Sequence, residues 1–169
     1  MSHNTSLEYA VGVICGIIFA IVIAKLIQKL LLKKGKMKEA KFDERQLYEQ
    51  AKAGKSSLYM LLTYNVVVGF IALYIDGLST YILMITGAFL AITVYCVLCI
   101  WNEAYFGINQ RVASWIKYFV IIGVINIAIA ISLVFAADGN YLLNLEAGIM
   151  CLVIAVTAII KKKLNEKES

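Results

Sequence analysis

Five stretches of about 20 apolar residues, roughly 9–32, 57–75, 80–101, 115–136 and 141–160, dominate this chain of 169 residues. A helix rising about 1.5 Å per residue needs about 20 such residues to cross a hydrocarbon layer of about 30 Å. Inside lipid the backbone has no water to bond, so each run must satisfy its own N–H and C=O groups as a helix. The predicted fold is therefore all-α, an integral membrane helical bundle with five transmembrane helices. A hydrophobic content of 62% and a mean hydropathy of +0.81 exceed those of an ordinary soluble domain. Residues 1–169 read as a single membrane domain.

No Lys or Arg precedes the first run, and it ends in lysines rather than a small-residue cleavage site, so it is expected to stay attached. With five spans, the segments after runs one, three and five share one side and hold all 16 Lys and Arg residues. The opposite side carries only Glu8, Asp76, Asp138 and Glu146. Basic residues are retained in cytoplasmic loops, which predicts the N-terminus outside and the C-terminus inside. This asymmetry accounts for the pI near 9.0 without a nucleic-acid partner. The lipid bilayer is the expected partner of these charges.

Small residues recur every fourth position in run one, at Gly12, Gly16, Ala20 and Ala24, and form a smooth helix-packing stripe. The stripe serves packing within the bundle or formation of a homo-oligomer. Cys15, Cys96, Cys99 and Cys151 all fall in apolar runs and read as packing residues rather than metal or redox groups. No cofactor is expected.

The segment FDERQLYEQAKAGK leads into run two without a proline. Asp43 fits a helix N-cap and Gln46 the third helical position of a capping box, with Phe42 and Leu47 at the staple positions. Residues 43–56 are thus expected to form a cytoplasmic extension of one helix running to about 75. Leu47, Ala51, Gly54 and Leu58 share one face, predicted to pack, and Arg45, Glu49, Lys52 and Ser56 another, predicted to meet solvent or a partner. A second segment, WNEAYFGINQRVASW, links runs three and four. There Gly107 is expected to end one helix and Asn109 to cap the next, with Trp101, Tyr105 and Trp115 at headgroup depth. Outer turns fall at Asp76-Gly77 and Asp138-Gly139-Asn140, and a frayed basic tail closes the chain. Asn65 and Gly87 match Asn126 and Gly148 at an offset of 61, a hint of a duplicated hairpin.

Mid-membrane polar positions are limited to Thr63, Asn65, Thr93, Asn126 and Ser132, without an ionisable group at comparable depth. Glu146 is the one acid that can lie about a turn inside the outer boundary. No catalytic constellation is visible, and Asn65 and Asn126 are read as interhelical hydrogen-bond partners. His3, the sole histidine, lies in a terminal tail.

KFDERQLYEQAKAGKSSLYMLLTYN followed by WNEAYFGIN resembles a group of functionally uncharacterised small multi-pass membrane proteins of Gram-positive bacteria with DERQ and WN[DE]AYF segments. The resemblance covers roughly residues 41 to 110. It implies a bacterial cytoplasmic membrane location and helical hairpins, and it carries over no activity. It also implies that Asp43, Glu44, Arg45 and Gln46 belong with Trp101, Asn102, Glu103, Tyr105 and Phe106, with Glu103 able to pair with Arg45 or Lys55. The function expected is non-enzymatic: an inner face formed by 43–55 and 101–117 that binds or regulates another protein. A small transporter or channel subunit, with Asn65 and Asn126 lining a path, is the alternative.

Overall fold

The computed structural model describes residues 41–74, 80–108, 111–136 and 141–168, together with the helical positions Val22, Leu26 and Lys29. Residues 1–40 and 41–169 form two compact units. In the first, the three described positions are exposed and, at spacings of four and three residues, share one helix face. Gly12, Gly16, Ala20 and Ala24 lie outside the described residues, as do both Asp-Gly turns and Asn109.

The second unit is all-α: α1 (Glu44–Ala72), α2 (Thr80–Trp101), α3 (Val112–Phe135) and α4 (Tyr141–Glu168). Each of the four is long and apolar enough to cross a membrane. At 29 residues, α1 measures about 44 Å, which exceeds a hydrocarbon core of about 30 Å and leaves its charged first turns outside the apolar layer. Contacts run in a row: α1 packs on α2, α2 on α4, and α4 on α3. The centre is thus a pair, α2 and α4, each flanked by the helix that precedes it. Thr86 meets Glu146 near the two N-terminal ends, and Glu103 meets Asn165 near the C-terminal ends, so these two helices run parallel.

Small side chains set the spacing at that centre. Ala91, Cys96, Cys99, Ala104, Cys151, Ala155 and Ala158 are buried, and the three cysteines are free thiols between helices. Between α3 and α4 the approach is closer still. A Cβ on Gly148 would stand 3.0 Å from the Gly123 carbonyl oxygen and 2.7 Å from an Ile127 side-chain carbon. The other hairpin places Gly87 of α2 against the Tyr64 ring of α1 in the same manner. Outward faces stay apolar, with Leu62, Val66 and Phe70 on α1 and Ile121, Ile125 and Val134 on α3 each about half exposed or more. Such surface is stable against lipid, not water.

Several local expectations change. The packed stripe of α1 is Gln46, Gln50, Ala53, Ser57, Leu61 and Tyr64, whereas Leu47 and Leu58 are 53% exposed. The stripe runs between the two faces drawn from hydropathy because the segment meets loop backbone, whose carbonyls select amides. The described part of the basic tail is not frayed: α4 stays helical through Glu168, and the Lys162–Glu166 pair (3.5 Å) lies one turn apart on it. Helix α2 ends at Trp101, well before Gly107, and Arg111 precedes α3 without any side-chain cap.

Candidate functional site

The start of α1 opens with a complete capping box. Asp43 Oδ1 accepts from the Gln46 backbone N–H at 2.6 Å, and Gln46 Oε1 accepts from the Asp43 N–H at 3.2 Å. This pins the first turn and aims the Gln46 amide nitrogen away from its own helix.

At the end of α2, Glu103 takes the left-handed conformation, φ 58°. Its N–H bonds the Ile100 carbonyl (3.1 Å), and the Ala104 N–H reaches back to the Cys99 carbonyl (2.7 Å). That pair of bonds is a Schellman ending, in which glycine is the usual left-handed residue. Holding a glutamate there costs about 1 kcal/mol, and the side chain it projects repays this through three partners described below. Ala104 is fully buried beneath the turn, so only a small residue fits.

The turn leaves loop carbonyls pointing at α1, and α1 supplies a donor for each. Arg45 donates to the Asn102 carbonyl (3.0 Å). Gln46 Nε2 donates to the Glu103 carbonyl (2.7 Å) and the Phe106 carbonyl (3.2 Å), and Gln50 Nε2 donates to the Ala104 carbonyl (2.7 Å). In return Asn102 Nδ2 donates to Glu49 Oε2 (2.9 Å), and the Ile108 N–H bonds the Lys41 carbonyl (2.9 Å). Gln46, 6% exposed, is the buried polar residue at the centre of this clasp. Its chemistry explains the residue type: a glutamate could complete the cap but has no N–H for two carbonyls.

On the other side of the turn, Glu103 faces α4. It accepts from Asn165 Nδ2 (2.6 Å), pairs with Lys161 (3.4 Å) and lies 4.0 Å from Arg45. The Asn165 hydrogen bond, opposed in part by burial and joined by Lys161 and then Arg45, holds its carboxyl below the ordinary glutamate range. Tyr105 and Phe106 complete the clasp from the apolar side. They meet edge to face at 4.9 Å, and Tyr105 lies 6.2 Å from Phe119 of α3. Burial raises the Tyr105 phenol well above its ordinary value.

Of the residues expected on an interaction face, Glu49, Asn102, Tyr105 and Phe106 are therefore engaged within the chain, and Arg45 and Glu103 partly so. Lys52 and Trp101 remain exposed, together with Leu47, Tyr48 and Ile108. Lys55 does not reach Glu103; it sits over the Tyr59 ring, 5.7 Å from its centroid. Gln50, Ala104, Lys161 and Asn165 were not singled out by the sequence pattern. Gln50 had a signal, four residues after Gln46 on one face, while Asn165 had none within its charged surroundings.

Among the described residues, Asn65 and Asn126 do not join helices. Asn65 is exposed on α1, and Asn126 donates to the Ile122 carbonyl of its own helix (2.9 Å). They stand on α1 and α3, which do not touch each other. Beside the clasp, a cleft of about 410 Å³ has an apolar floor of Ile100, Phe106, Ile108 and Val112 and a rim of Glu103, Lys161, Lys162, Asn165 and Glu166.

Fold and site together define the class: an all-α protein whose second unit carries four helices long and apolar enough to cross a membrane, with two segments clasped at one end. Comparison of the chain with family models, with curated proteins and with solved structures finds no match.

Proposed function

We propose that the protein is a five-span, non-enzymatic component of the bacterial cytoplasmic membrane, N-terminus outside and C-terminus inside, whose inner face docks another protein. The cleft beside the clasp carries this reading. Its apolar floor suits a hydrophobic side chain, and Arg111, Lys117, Lys161, Lys162 and Lys163 around that end of the unit favour an acidic flank on the partner. At about 410 Å³ the cleft is large enough for an anchoring side chain. Arg45, Gln46 and Gln50 hold the 101–108 loop in shape beforehand, so docking requires little ordering. The occupant favoured is an amphipathic segment with apolar anchors beside Asp or Glu.

The test is site-specific photocrosslinking in native membranes. A probe at Ile108 or Lys162 is expected to capture one and the same protein, with capture lost in Phe106→Ala and absent from a probe at Tyr59 on the outward face of α1. Equal capture from all three positions would refute docking at the cleft.

A further inference from the structure

One exposed face of α1 carries an amide for which the chain supplies no partner. Leu58, Leu62, Asn65 and Gly69 follow at intervals of 4, 3 and 4 residues, the spacing of a helix-pairing seam, and all four are exposed. Asn65 stands near the middle of the apolar run 57–75, and among the described residues its side chain makes no hydrogen bond. Elsewhere Thr86, Thr93, Asn126, Ser132 and Thr157 each bond a main-chain carbonyl of their own helix. The Thr63 hydroxyl, also without a partner, can reach such a carbonyl by rotating its side chain. An asparagine can donate in that way too, but its oxygen cannot be satisfied in the same helix, where interior N–H groups are already bonded. Inside lipid that oxygen needs a donor from another helix.

The rest of the chain narrows the source of that donor. From Ala10 to Ala24 the first apolar run holds no amide or hydroxyl, and Cys15, a weak donor, is its one polar side chain. Asn126 is partly buried and already donates within α3. A second copy supplies the missing group by symmetry. The charge asymmetry gives every copy one orientation, so two α1 helices about a two-fold axis along the membrane normal run parallel and bring both Asn65 amides to equal depth. Each amide is donor and acceptor at once, so the two satisfy each other.

Gly69, one turn further on the same face, is an independent sign of close approach. A glycine inside a helix is less stable than alanine, yet a Cβ at Gly69 would meet nothing within 4 Å, so no contact within the described chain accounts for it. A facing helix would use the space that the missing side chain leaves. Lys55, further along the face, is drawn aside over the Tyr59 ring, and crossing helices separate with distance from the crossing point.

We propose that two copies of this chain pair through α1, crossing at Asn65 and Gly69, with the two Asn65 amides bonded to each other. The pairing rests on the membrane reading above, not on docking at the cleft.

The experiment crosslinks the full-length protein in native membranes of cells that make two differently tagged copies. A photoreactive residue in place of Leu62 is expected to join the two tags, and one in place of Val67, 50% exposed on another side of α1, is not. Dye-labelled protein in phospholipid vesicles should show energy transfer that falls on dilution with lipid. Dissociation should become about tenfold easier in Asn65→Leu and in Gly69→Leu, and stay unchanged in Thr63→Val. The thermal midpoint in detergent establishes whether each variant is folded; if they are not, the Leu62 and Val67 comparison and the wild-type dilution decide. A Leu62 adduct to residues 9–32 of the same chain, to α3 of a second copy or to nothing would overturn the pairing. So would equal joining from Val67, undiminished association of folded Asn65→Leu or Gly69→Leu, or an equal loss in Thr63→Val. Protein stripped from membranes by carbonate would overturn the membrane reading and the pairing together, whereas protein retained there without joined tags overturns the pairing alone.

Discussion

Replacing Gln46 by Glu separates the two tasks of one side chain. The cap survives, because a carboxylate oxygen can still accept from the Asp43 N–H. The two bonds from Nε2 to the Glu103 and Phe106 carbonyls do not survive, and an anionic oxygen then faces both acceptors. A lost hydrogen bond is worth about 1 kcal/mol net, and a buried carbonyl left without a donor costs about 1–3 kcal/mol. With Gln46 only 6% exposed, water cannot easily replace the donor, so Gln46→Glu is expected to lose about 2–4 kcal/mol in all. For a chain of this length that is a fall of roughly 4–16 °C in the unfolding midpoint. The assay is thermal unfolding in one detergent at pH 7.5 and pH 5, with hydrogen exchange at Ala104 as the local probe. Burial raises the pKa of the introduced acid, so at pH 5 it takes up a proton, regains one donor, and part of the loss is recovered. An unchanged midpoint at pH 7.5, or a loss that does not shrink on acidification, would refute the assignment of Gln46 as donor to the loop.

Three further outcomes are expected. Gly148→Ala should destabilise by about 1–3 kcal/mol because the new methyl meets backbone that cannot retreat, whereas Gly69→Ala, with nothing within 4 Å, should be neutral or stabilise by up to about 1 kcal/mol; unfolding midpoints check both. Glu103 has a lowered pKa in the folded chain, so its contribution is present above the ordinary glutamate value of about 4.3 and is lost as pH falls through the lower, folded one. Exchange at the 101–108 loop should accelerate in that acid window, modestly because the side chain is 47% exposed, and Glu103→Gln should flatten the dependence. Single cysteines at His3→Cys, Asn140→Cys and Ser169→Cys, in a background without the native thiols, should react with an impermeant reagent from outside at the first two positions only; labelling of Ser169→Cys would reverse the proposed topology.

Where helices form was legible because the cause is local. An apolar run of about 20 residues settles helix formation from its own composition, and Asp43 with Gln46 settles a helix start from residues three apart. The end of α2 was less legible. Gly107 had the residue type expected of a left-handed ending, yet Glu103 holds that conformation, at a cost offset by Asn165 and Lys161, which are about 60 positions away. The polar residues of α1 were visible as charge and amide, but their partners are main-chain carbonyls, whose directions depend on how the loop turns.

By itself the sequence determined an all-α chain of apolar helices and the capped start of α1; the grouping of DERQ with WNEAYF was implied only by resemblance. The tertiary structure alone decided that these segments clasp each other, that α2 and α4 form the centre, and that Glu146 lies against Thr86 with one oxygen unpartnered. The physical reason is range. Hydropathy and capping act over a few residues, while a hydrogen bond between residues 60 positions apart exists only once packing has brought them together.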